Sequence, residues 1–340
     1  MYKTAVERPA VALAMYAGLE AQLFGAEEWE RIDAVATVLD RTPLTTFDDP
    51  RSDTLLAAAE VLVVGWFCPP LTAAVLARAP GLALVANAAG TVKPFATDAL
   101  WARDIVVTSA AAANAVPVAE FTLAAIVFAS KRAFAARDEY RAWRGAGVIP
   151  GLYPSRGAHD IRVGLVGASL VGRLVIEHLR RLDAAVSVCD PYLAPAEADE
   201  LGVRKVELDE LLATSDIVSL HAPALPETKH MIGAGELARM PRGAWLVNTA
   251  RGALVDTAAL EDATRDRRVN AFLDVTDPEP LPSASPLWDL PNVVITPHIA
   301  GSQGGEVRRL GRLAVTEIER YARREPPLHP VTRADLDRIA

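Results

Sequence analysis

A strand, a glycine-rich turn, a helix and a second strand follow one another in the segment 161–190, and this order constrains the fold most. The sequence predicts a short buried strand over 161–166, a tight turn over 167–172 and a helix over 171–182 with its apolar residues on one face. The second strand ends at Asp190. This layout is typical of a dinucleotide-binding βαβ unit, whose helix N-terminus carries about half a positive charge that suits a pyrophosphate.

The acidic residue after the second strand indicates which dinucleotide is bound. Asp190 lies 18 residues after Gly172, where a carboxylate can accept hydrogen bonds from both ribose hydroxyls and repels a 2′-phosphate, so NAD is predicted over NADP. Ser169 stands where the middle glycine of G-x-G-x-x-G is expected. Its Cβ is expected to push the cofactor slightly away or to be offset by a hydroxyl contact with phosphate. The turn alone also fits an α/β domain that binds no nucleotide.

Three stretches downstream supply the side chains that carbonyl reduction needs. Arg251 lies in NTARGALVD, Glu279 in LDVTDPEP and His298 in TPHIAG. A 2-oxo acid needs a cationic fork for its carboxylate and a proton donor for the ketone oxygen, which gains negative charge as hydride arrives. An imidazole can donate that proton near neutral pH, and a carboxylate beside it fixes the ring and favours its protonated form. Each residue alone also fits a structural ion pair or a loop contact, but their order and contexts favour catalysis.

Taken together, these stretches resemble the D-isomer-specific 2-hydroxyacid dehydrogenase family. The matching segments cover nearly the whole chain from about residue 60, and they are GLVGASLVG with CDPY, SDIVSLHAPALPETKHMIG, GAWLVNTARGALVD, AFLDVTDPEP and LPNVVITPHIAGS, with ANAVPVAEFTLAAIV upstream. The resemblance implies an oxidoreductase that interconverts a 2-oxo acid and a (D)-2-hydroxy acid with NAD. It also implies that Arg251 binds the substrate, that His298 is the general acid and base, and that Glu279 orients and charges the histidine.

The resemblance further implies which residues contact the two ligands. Those expected to face NAD are Gly167, Ser169, Leu170, Val171, Gly172, Asp190, Ala222, Pro223, Thr228, Thr249, Ala250 and Asp274. The loop Ala88, Ala89 and Gly90 matches the place where family members offer backbone N–H groups to the substrate carboxylate. It continues as GTVKP where the family has G-x-D-N, which is a departure from the family pattern.

The substrate's side chain is less tightly specified than its carboxylate. Trp66 and Phe67 in GWFCPP follow a predicted strand that family members direct toward the substrate, so an apolar pocket wall and an alkyl or aryl side chain are expected. The Ala-Ala-Gly loop disfavours a phosphorylated substrate. Ala89 stands where phosphite dehydrogenases place a lysine, and Glu279 where formate dehydrogenases have glutamine.

Two alternatives remain beside this activity. Corepressors of the same family use the dehydrogenase fold as an NAD-sensing binding module and keep the catalytic residues. A dehydrogenase for an unusual substrate is the other alternative, which Ser169 and the GTVKP loop suggest.

Alternating strands and helices predict an α/β protein of two doubly wound, parallel-sheet, Rossmann-like domains with a cleft between them. A flavodoxin-like substrate-binding domain is expected over 1–112 plus 301–340, and the NAD-binding Rossmann domain over 113–300. Beyond the strands already named, strands are expected at 10–16, 61–66, 82–87, 105–110, 216–222, 244–250, 271–275 and 293–298, and an amphipathic helix at 305–323.

Composition limits the classes of molecule that the protein is expected to bind. The net charge of −8 and the absence of a basic stripe argue against nucleic acid. The two cysteines, Cys68 and Cys189, have no metal-binding spacing and indicate a reduced, cytoplasmic protein without a metal. The apolar run 116–129 is interpreted as too short to span a membrane and as a buried helix between domains or subunits. No membrane association is therefore expected, and the resemblance implies a homodimer.

Overall fold

The computed structural model describes residues 8–145 and 157–339. The strands in chain order are β1 Ala10–Ala14, β2 Thr37–Val38, β3 Val61–Val64, β4 Leu84–Asn87, β5 Val106–Ser109, β6 Arg162–Val166, β7 Ala185–Cys189, β8 Arg204–Lys205, β9 Ile217–Leu220, β10 Ala244–Asn248, β11 Val269–Leu273, β12 Val293–Ile295 and β13 Pro330–Val331. The α-helices are α1 Leu19–Leu23, α2 Ala26–Val35, α3 Pro50–Ala58, α4 Ala73–Ala77, α5 Asp98–Trp101, α6 Ala111–Ser130, α7 Ala133–Trp143, α8 Leu170–Leu179, α9 Pro195–Leu201, α10 Leu208–Thr214, α11 Ala234–Arg239, α12 Thr257–Arg265 and α13 Val307–Ala322.

The chain divides into two compact units. Unit 1 contains the residues up to Asn114 together with Ser302–Ile339, and unit 2 contains Ala115–Gly301. These boundaries lie one or two residues beyond the positions expected from the sequence, 112 and 300.

Unit 1 is built on a six-stranded sheet in the order β13-β5-β4-β3-β1-β2. Its five N-terminal strands are parallel and follow the doubly wound order 2-1-3-4-5, while β13 is antiparallel to β5. The short apolar runs of β3 and β4 are wholly buried, because helices cover both faces of a parallel sheet. Ala14, Val64 and Asn87 are register partners at the strand ends, so the loops that follow them meet at one edge.

Unit 2 is built on seven parallel strands in the order β12-β11-β10-β9-β6-β7-β8. Numbered from β6, this is the Rossmann order 3-2-1-4-5-6 with one additional strand, and the order reverses between β6 and β9. Buried apolar clusters cover both faces of the sheet. The predicted α/β architecture with two doubly wound parallel sheets is confirmed. Ligands of such sheets bind beyond the carboxyl ends of the strands, at the switch point.

The C-terminal helix α13 packs against α1 and α2 of unit 1. Its buried face includes Leu310, Ala314 and Ile318, with charged residues on the other face. Gly311 is required at this contact because a Cβ there would overlap the carbonyl of Leu23. The predicted amphipathic helix therefore exists, over slightly fewer residues than expected.

Helix α6 is longer than the sequence analysis expected. It covers 20 residues, because the alanine-rich segment before Pro117 has high helix propensity and extends the helix backward. The run 116–129, which the sequence analysis judged too short to span a membrane, is part of this longer helix. Within residues 8–145 and 157–339 it is the one helix long and apolar enough to do so by length and composition, a criterion that core helices also meet.

Candidate active site

The glycine turn after β6 is held close to the end of β9, the neighbouring strand. Gly167 has φ +103°, and a Cβ on it would lie 2.8 Å from the backbone nitrogen of Ala222. A Cβ on Gly172 would overlap the carbonyl of Gly167, so this position also needs a glycine to let α8 approach the strand. Both glycines therefore serve the turn in the way that a dinucleotide-binding unit requires.

Ser169, the departure from the glycine pattern, caps helix α8. Its φ of −66° and ψ of −179° are extended values that any residue adopts, and its Oγ accepts a hydrogen bond from the Gly172 N–H at 3.3 Å. The N–H groups of Leu170 and Val171 have no hydrogen-bond partner among the described residues. A helix N-terminus with free N–H groups and a tight glycine turn fits a pyrophosphate, so the residues present suit the predicted cofactor.

Asp190 follows β7 and is tied to the same turn. Its Oδ2 accepts from the Ala168 N–H at 2.6 Å, and its Oδ1 accepts from the Tyr192 N–H at 2.7 Å. A carboxylate oxygen has a second lone pair, so both oxygens can still accept from ribose hydroxyls. The carboxylate therefore positions the glycine turn, which the sequence analysis did not anticipate.

The remaining predicted NAD positions lie in the loops after β9 and β10. Ala222 and Pro223 directly follow β9, and Thr228 closes this loop by donating to the Pro223 carbonyl at 2.7 Å. Thr249 follows β10, and its buried hydroxyl shares a 2.7 Å hydrogen bond with that of Thr122 on α6. Ala250 donates its N–H to an asparagine at the end of β10.

His298 and Glu279 form a direct contact. The Nδ1 atom of His298 lies 2.7 Å from Oε1 of Glu279, and the side chains are 50% and 45% exposed. His298 follows β12 and has φ +54°, a left-handed conformation that is uncommon outside glycine. Since Glu279 occupies Nδ1, the other ring nitrogen, Nε2, is the one that can exchange a proton with a ligand.

A buried carboxylate holds the loop that carries His298. Asp274, at the end of β11, accepts from Thr296 Oγ1 at 2.6 Å, from the Ile299 N–H at 2.9 Å and from the Ala300 N–H at 2.8 Å. Its carbonyl also accepts from the His298 N–H at 2.9 Å. The sequence analysis assigned Asp274 to NAD. That assignment stays a prediction, and within the described residues the carboxylate positions the histidine loop.

Arg251 follows β10, and its backbone is held by a side chain of that strand. Asn248 donates from Nδ2 to the Arg251 carbonyl at 2.8 Å. A Cβ on Gly252 would overlap the carbonyl of Thr276, so the loop after β10 directly contacts the loop that leads to Glu279. Burial lowers the pKa of the Arg251 guanidinium, and the charge of Glu279 opposes that shift. The arginine stays charged, because guanidinium groups do not deprotonate in proteins.

His221, which the sequence analysis did not single out as a site residue, lies beneath the glycine turn. Its ring is buried, with Nε2 at 2.9 Å from Ser219 Oγ, and burial lowers the pKa of His221 to about 3. The ring is therefore neutral near physiological pH and supports the turn as an uncharged group. Its only signal in the sequence is its place one residue after a buried strand.

In unit 1, the predicted carboxylate-binding loop follows β4. The Ala88 N–H is already used, since it donates to the Val64 carbonyl at 2.8 Å. Over the described ranges, the N–H groups of Ala89 and Gly90 have no hydrogen-bond partner. These two amides are the ones that can receive an anion.

Trp66 and Phe67, predicted as one pocket wall, differ in environment. Trp66 is partly buried against the core of unit 1, and its carbonyl accepts from the Tyr16 N–H at 3.1 Å. Phe67 has φ +61° and its side chain is 83% exposed. Its ring meets that of Tyr16 edge to face, with 5.9 Å between centroids. A bulky residue in the left-handed region is strained, and such strain concentrates at ligand sites.

Comparisons with known proteins show which family this chain resembles. Residues 123–300 match the family model described as D-isomer specific 2-hydroxyacid dehydrogenase, NAD binding domain. The chain is 37% identical over 283 residues to D-3-phosphoglycerate dehydrogenase of Mycobacterium tuberculosis, covering 82% of this chain and 52% of that protein. It is 32% identical over 268 residues to glyoxylate reductase of Korarchaeum cryptofilum, covering 78% of this chain and 80% of that protein.

A solved structure of similar fold is that of the TT0316 protein of Thermus thermophilus, with a TM-score of 0.77 and 30% identity over 95% of this chain and 100% of that one. The chain spans about half the length of the phosphoglycerate dehydrogenases that it matches.

Proposed function

The chain belongs to the D-isomer specific 2-hydroxyacid dehydrogenase family, and from this premise we propose that it interconverts a 2-oxo acid and a (D)-2-hydroxy acid with NAD. The 2.7 Å contact between His298 and Glu279 carries the proposal, because it fixes the ring of a proton donor at the strand ends. The charge of the same glutamate also acts on Arg251. The family's NAD binding domain and the free amides of the glycine turn support the cofactor.

Each catalytic residue has one task in the reduction. When bound, NADH supplies a hydride to the ketone carbon. Arg251 offers a planar fork to the substrate carboxylate, which holds the ketone in place. The proton on Nε2 of His298 passes to the ketone oxygen, and Glu279 stabilises the ring at Nδ1 while it is charged. In the oxidation, Nε2 accepts the proton of the hydroxyl group.

Asp190 supports selection of NAD over NADP. Its carboxylate is only partly buried at the end of β7 and would repel a 2′-phosphate. Fluorescence titration should therefore give a markedly smaller Kd for NADH than for NADPH. Equal Kd values for the two cofactors would contradict this assignment.

The relatives named above carry different substrate names, so the substrate class is argued from this chain's own loops. The edge-to-face pair of Tyr16 and Phe67 offers aromatic surface one strand away from the amides of Ala89 and Gly90. We therefore favour a 2-oxo acid with an alkyl or aryl side chain. Phe67→Ala and Trp66→Ala should each lower kcat/KM for phenylpyruvate more than for glyoxylate. An unchanged ranking of substrates in both variants would show that Trp66 and Phe67 do not form an apolar wall of the substrate site.

Exposed aromatic side chains on α6 and α7 support a homodimer. Phe128, Tyr140 and Trp143 are each more than two-fifths exposed, and no residue of α7 is buried. A second copy of the chain that covers this surface would remove it from water. Cys68 and Cys189 are free thiols, which supports a reducing compartment, and we place the protein in the cytoplasm.

The proposed activity is tested by NADH oxidation with glyoxylate, hydroxypyruvate, pyruvate, 2-oxoisocaproate and phenylpyruvate. Turnover with at least one acid, and a ranking that follows side-chain size, is expected. Tight NADH binding without turnover of any acid would instead favour an NAD-sensing module or an unusual substrate.

A further inference from the structure

The loop after β4 has its carbonyl groups fastened from inside unit 1. Asn87, at the end of β4, donates from Nδ2 to the carbonyls of Ala89 and Thr91, each at 3.0 Å. Ser109, its register partner on β5, donates from Oγ to the Gly90 carbonyl at 3.2 Å. The Ala110 N–H also donates to the Ala89 carbonyl, at 3.2 Å. Three successive carbonyls are thus held by donors that belong to β4, β5 and the residue after β5.

The backbone N–H groups of the same three residues differ from their carbonyls. Those of Ala89, Gly90 and Thr91 have no hydrogen-bond partner in the part of the chain that the structure describes, although Ala89 is buried. A buried N–H without a partner costs free energy comparable to a lost hydrogen bond. Because their carbonyls are fixed inward, the amides are held in advance for an anionic acceptor, and such preorganised donors lose little freedom on binding.

The Asn87 side chain itself is locked in one orientation. It is 1% exposed, and its Oδ1 is buried without a partner among the described residues. A flip of the amide would place Oδ1 against two carbonyl oxygens and leave Nδ2 unsatisfied. Asn87 therefore leaves its own side-chain oxygen without a hydrogen bond, while its side-chain nitrogen holds two backbone carbonyls.

We propose that Asn87, assisted by Ser109, is a positioning residue that presents the Ala89 and Gly90 amides to the carboxylate of the 2-oxo acid. This inference rests on the proposed function for the identity of the anion. Asn87 does not touch the substrate. It sets substrate affinity by fixing the loop, and it has no part in cofactor binding or proton transfer.

The chain supplies a matched control in Asn292, in unit 2. Asn292 Nδ2 also donates to two backbone carbonyls, those of Thr264 and Val269, each at 2.9 Å, and its Oδ1 is also buried without a partner in the described ranges. It precedes β12, at the amino end of the strand, whereas the candidate active site follows the carboxyl ends. Asn292→Ala therefore removes two hydrogen bonds of the same kind as Asn87→Ala does, but it leaves the loop after β4 unchanged.

The experiment compares the full-length wild type with Asn87→Ala, Asn292→Ala and the milder Ser109→Ala. Calorimetry gives the Kd of NADH and then the Kd of oxamate, an unreactive 2-oxo acid analogue, for the enzyme with NADH bound. Initial rates give KM and kcat. In Asn87→Ala we expect a rise of about tenfold or more in oxamate Kd and in KM, with kcat within about threefold and NADH Kd unchanged, because binding lost equally from ground and transition states appears in KM. Ser109→Ala removes the hydroxyl that donates to the Gly90 and Ala89 carbonyls and accepts from the Ala111 N–H, but it leaves both bonds from Asn87. It should show a smaller rise, and Asn292→Ala none.

The outcomes separate this inference from the proposed function. If Asn87→Ala binds oxamate as the wild type does, or no more weakly than Asn292→Ala, the inference is overturned while the activity stands. If the wild type binds oxamate but reduces no 2-oxo acid, the activity is wrong, and a selective loss of oxamate binding in Asn87→Ala still supports the positioning role. A wild type that binds no oxamate and reduces none of the 2-oxo acids overturns both, and one that reduces them without binding oxamate overturns the inference alone. If Asn87→Ala does not fold, Ser109→Ala decides, and unchanged oxamate binding in that variant counts against the inference.

Discussion

At the residue scale, the candidate active site depends on side chains that hold the backbone around two catalytic residues. His298 has left-handed backbone dihedrals that only a fixed loop sustains, and the Asp274 carboxylate fixes that loop with three hydrogen bonds. The Arg251 backbone is similarly held by Asn248. Preorganisation of this kind matters because a small displacement of a catalytic group lowers the rate steeply.

Glu279→Gln tests the charge of the dyad while keeping its shape. A glutamine can still bond to Nδ1 but cannot stabilise the charged ring, and a hydrogen bond to a charged group contributes about 1.5–3 kcal/mol. We expect kcat to fall by roughly 10- to 100-fold, with NADH Kd unchanged. Steady-state kinetics and fluorescence titration provide the measurement.

Asp262→Asn is the control for Glu279→Gln, since it removes an exposed ion pair with Arg265 on α12. Its kcat should match that of the wild type. Equal kcat values for Glu279→Gln and the wild type would show that the glutamate has no electrostatic role.

At the element scale, the ends of β10 and β11 are held together through Gly252. In Gly252→Ala the new Cβ would overlap the Thr276 carbonyl, so the two loops must separate. Overpacking of this kind costs about 1–3 kcal/mol. The melting temperature should fall, and kcat/KM should fall as well because Arg251 moves relative to Glu279.

Gly305→Ala is the matched control for Gly252→Ala. A Cβ on Gly305 meets no atom within 4 Å, and its φ lies outside the left-handed region. Its melting temperature and kcat/KM should be those of the wild type. A Gly252→Ala variant with wild-type values of both would mean that the loops are not in contact.

A buried acid on α2 fastens the C-terminal helix α13. Burial alone would raise the pKa of Glu28, but hydrogen bonds from Arg312, the Gly25 N–H and Arg308 outweigh it and lower the pKa to about 2. A carboxyl whose folded pKa lies below its unfolded value stabilises the protein above the unfolded pKa. That contribution is lost as pH falls from about 4.5 through 2.

Glu28→Gln should therefore lower the free energy of unfolding at pH 7 by about 2 kcal/mol, since it leaves half-exposed arginines without their buried partner. The difference from wild type should shrink by about half at pH 3. Urea unfolding at both pH values is the measurement. Glu27→Gln, at an exposed acid on the same helix that also pairs with Arg312, should change little. A difference between Glu28→Gln and wild type that is the same at both pH values would contradict the low pKa.

The sequence predicted the order and type of these elements better than their first and last residues. Buried strands such as β1 and β3 were recognisable because both are uninterrupted apolar runs. The two-residue strands β2, β8 and β13 have no such signal, since tertiary pairing alone defines them. The start of α6 was missed because the expected helix was limited to the run 116–129, whereas the observed helix begins at Ala111 and contains Pro117.

In the candidate site, the motifs indicated Arg251, Glu279 and His298, whose spacing and types carry chemistry. The sequence did not reveal the supporting roles of Asp274, Asn248 and Asn87, because hydrogen bonds to distant backbone groups depend on the folded loops. The cap formed by Ser169 was also missed, although Ser before a helix is a frequent N-cap residue.

At the scale of the whole molecule, the exposed aromatic side chains of α6 and α7 predict self-association. Sedimentation velocity should give a particle of twice the 36.3 kDa chain mass. Trp143→Glu should shift it toward the monomer, because a charge is costly to bury in an apolar interface. Trp288→Glu, at a similarly exposed tryptophan of unit 2, is the control. A monomeric wild type, or a Trp143→Glu variant that remains dimeric, would place the interface elsewhere or remove it.

The central claim is that the His298 imidazole exchanges the proton while hydride is transferred to or from the substrate. The most direct test is the rate of NADH oxidation by wild type and His298→Ala with the best 2-oxo acid, at saturating substrate and with NADH Kd measured in parallel. The account predicts a loss of about 10²- to 10⁴-fold in kcat with NADH Kd unchanged. A His298→Ala enzyme whose kcat stays within a few-fold of wild type would contradict it.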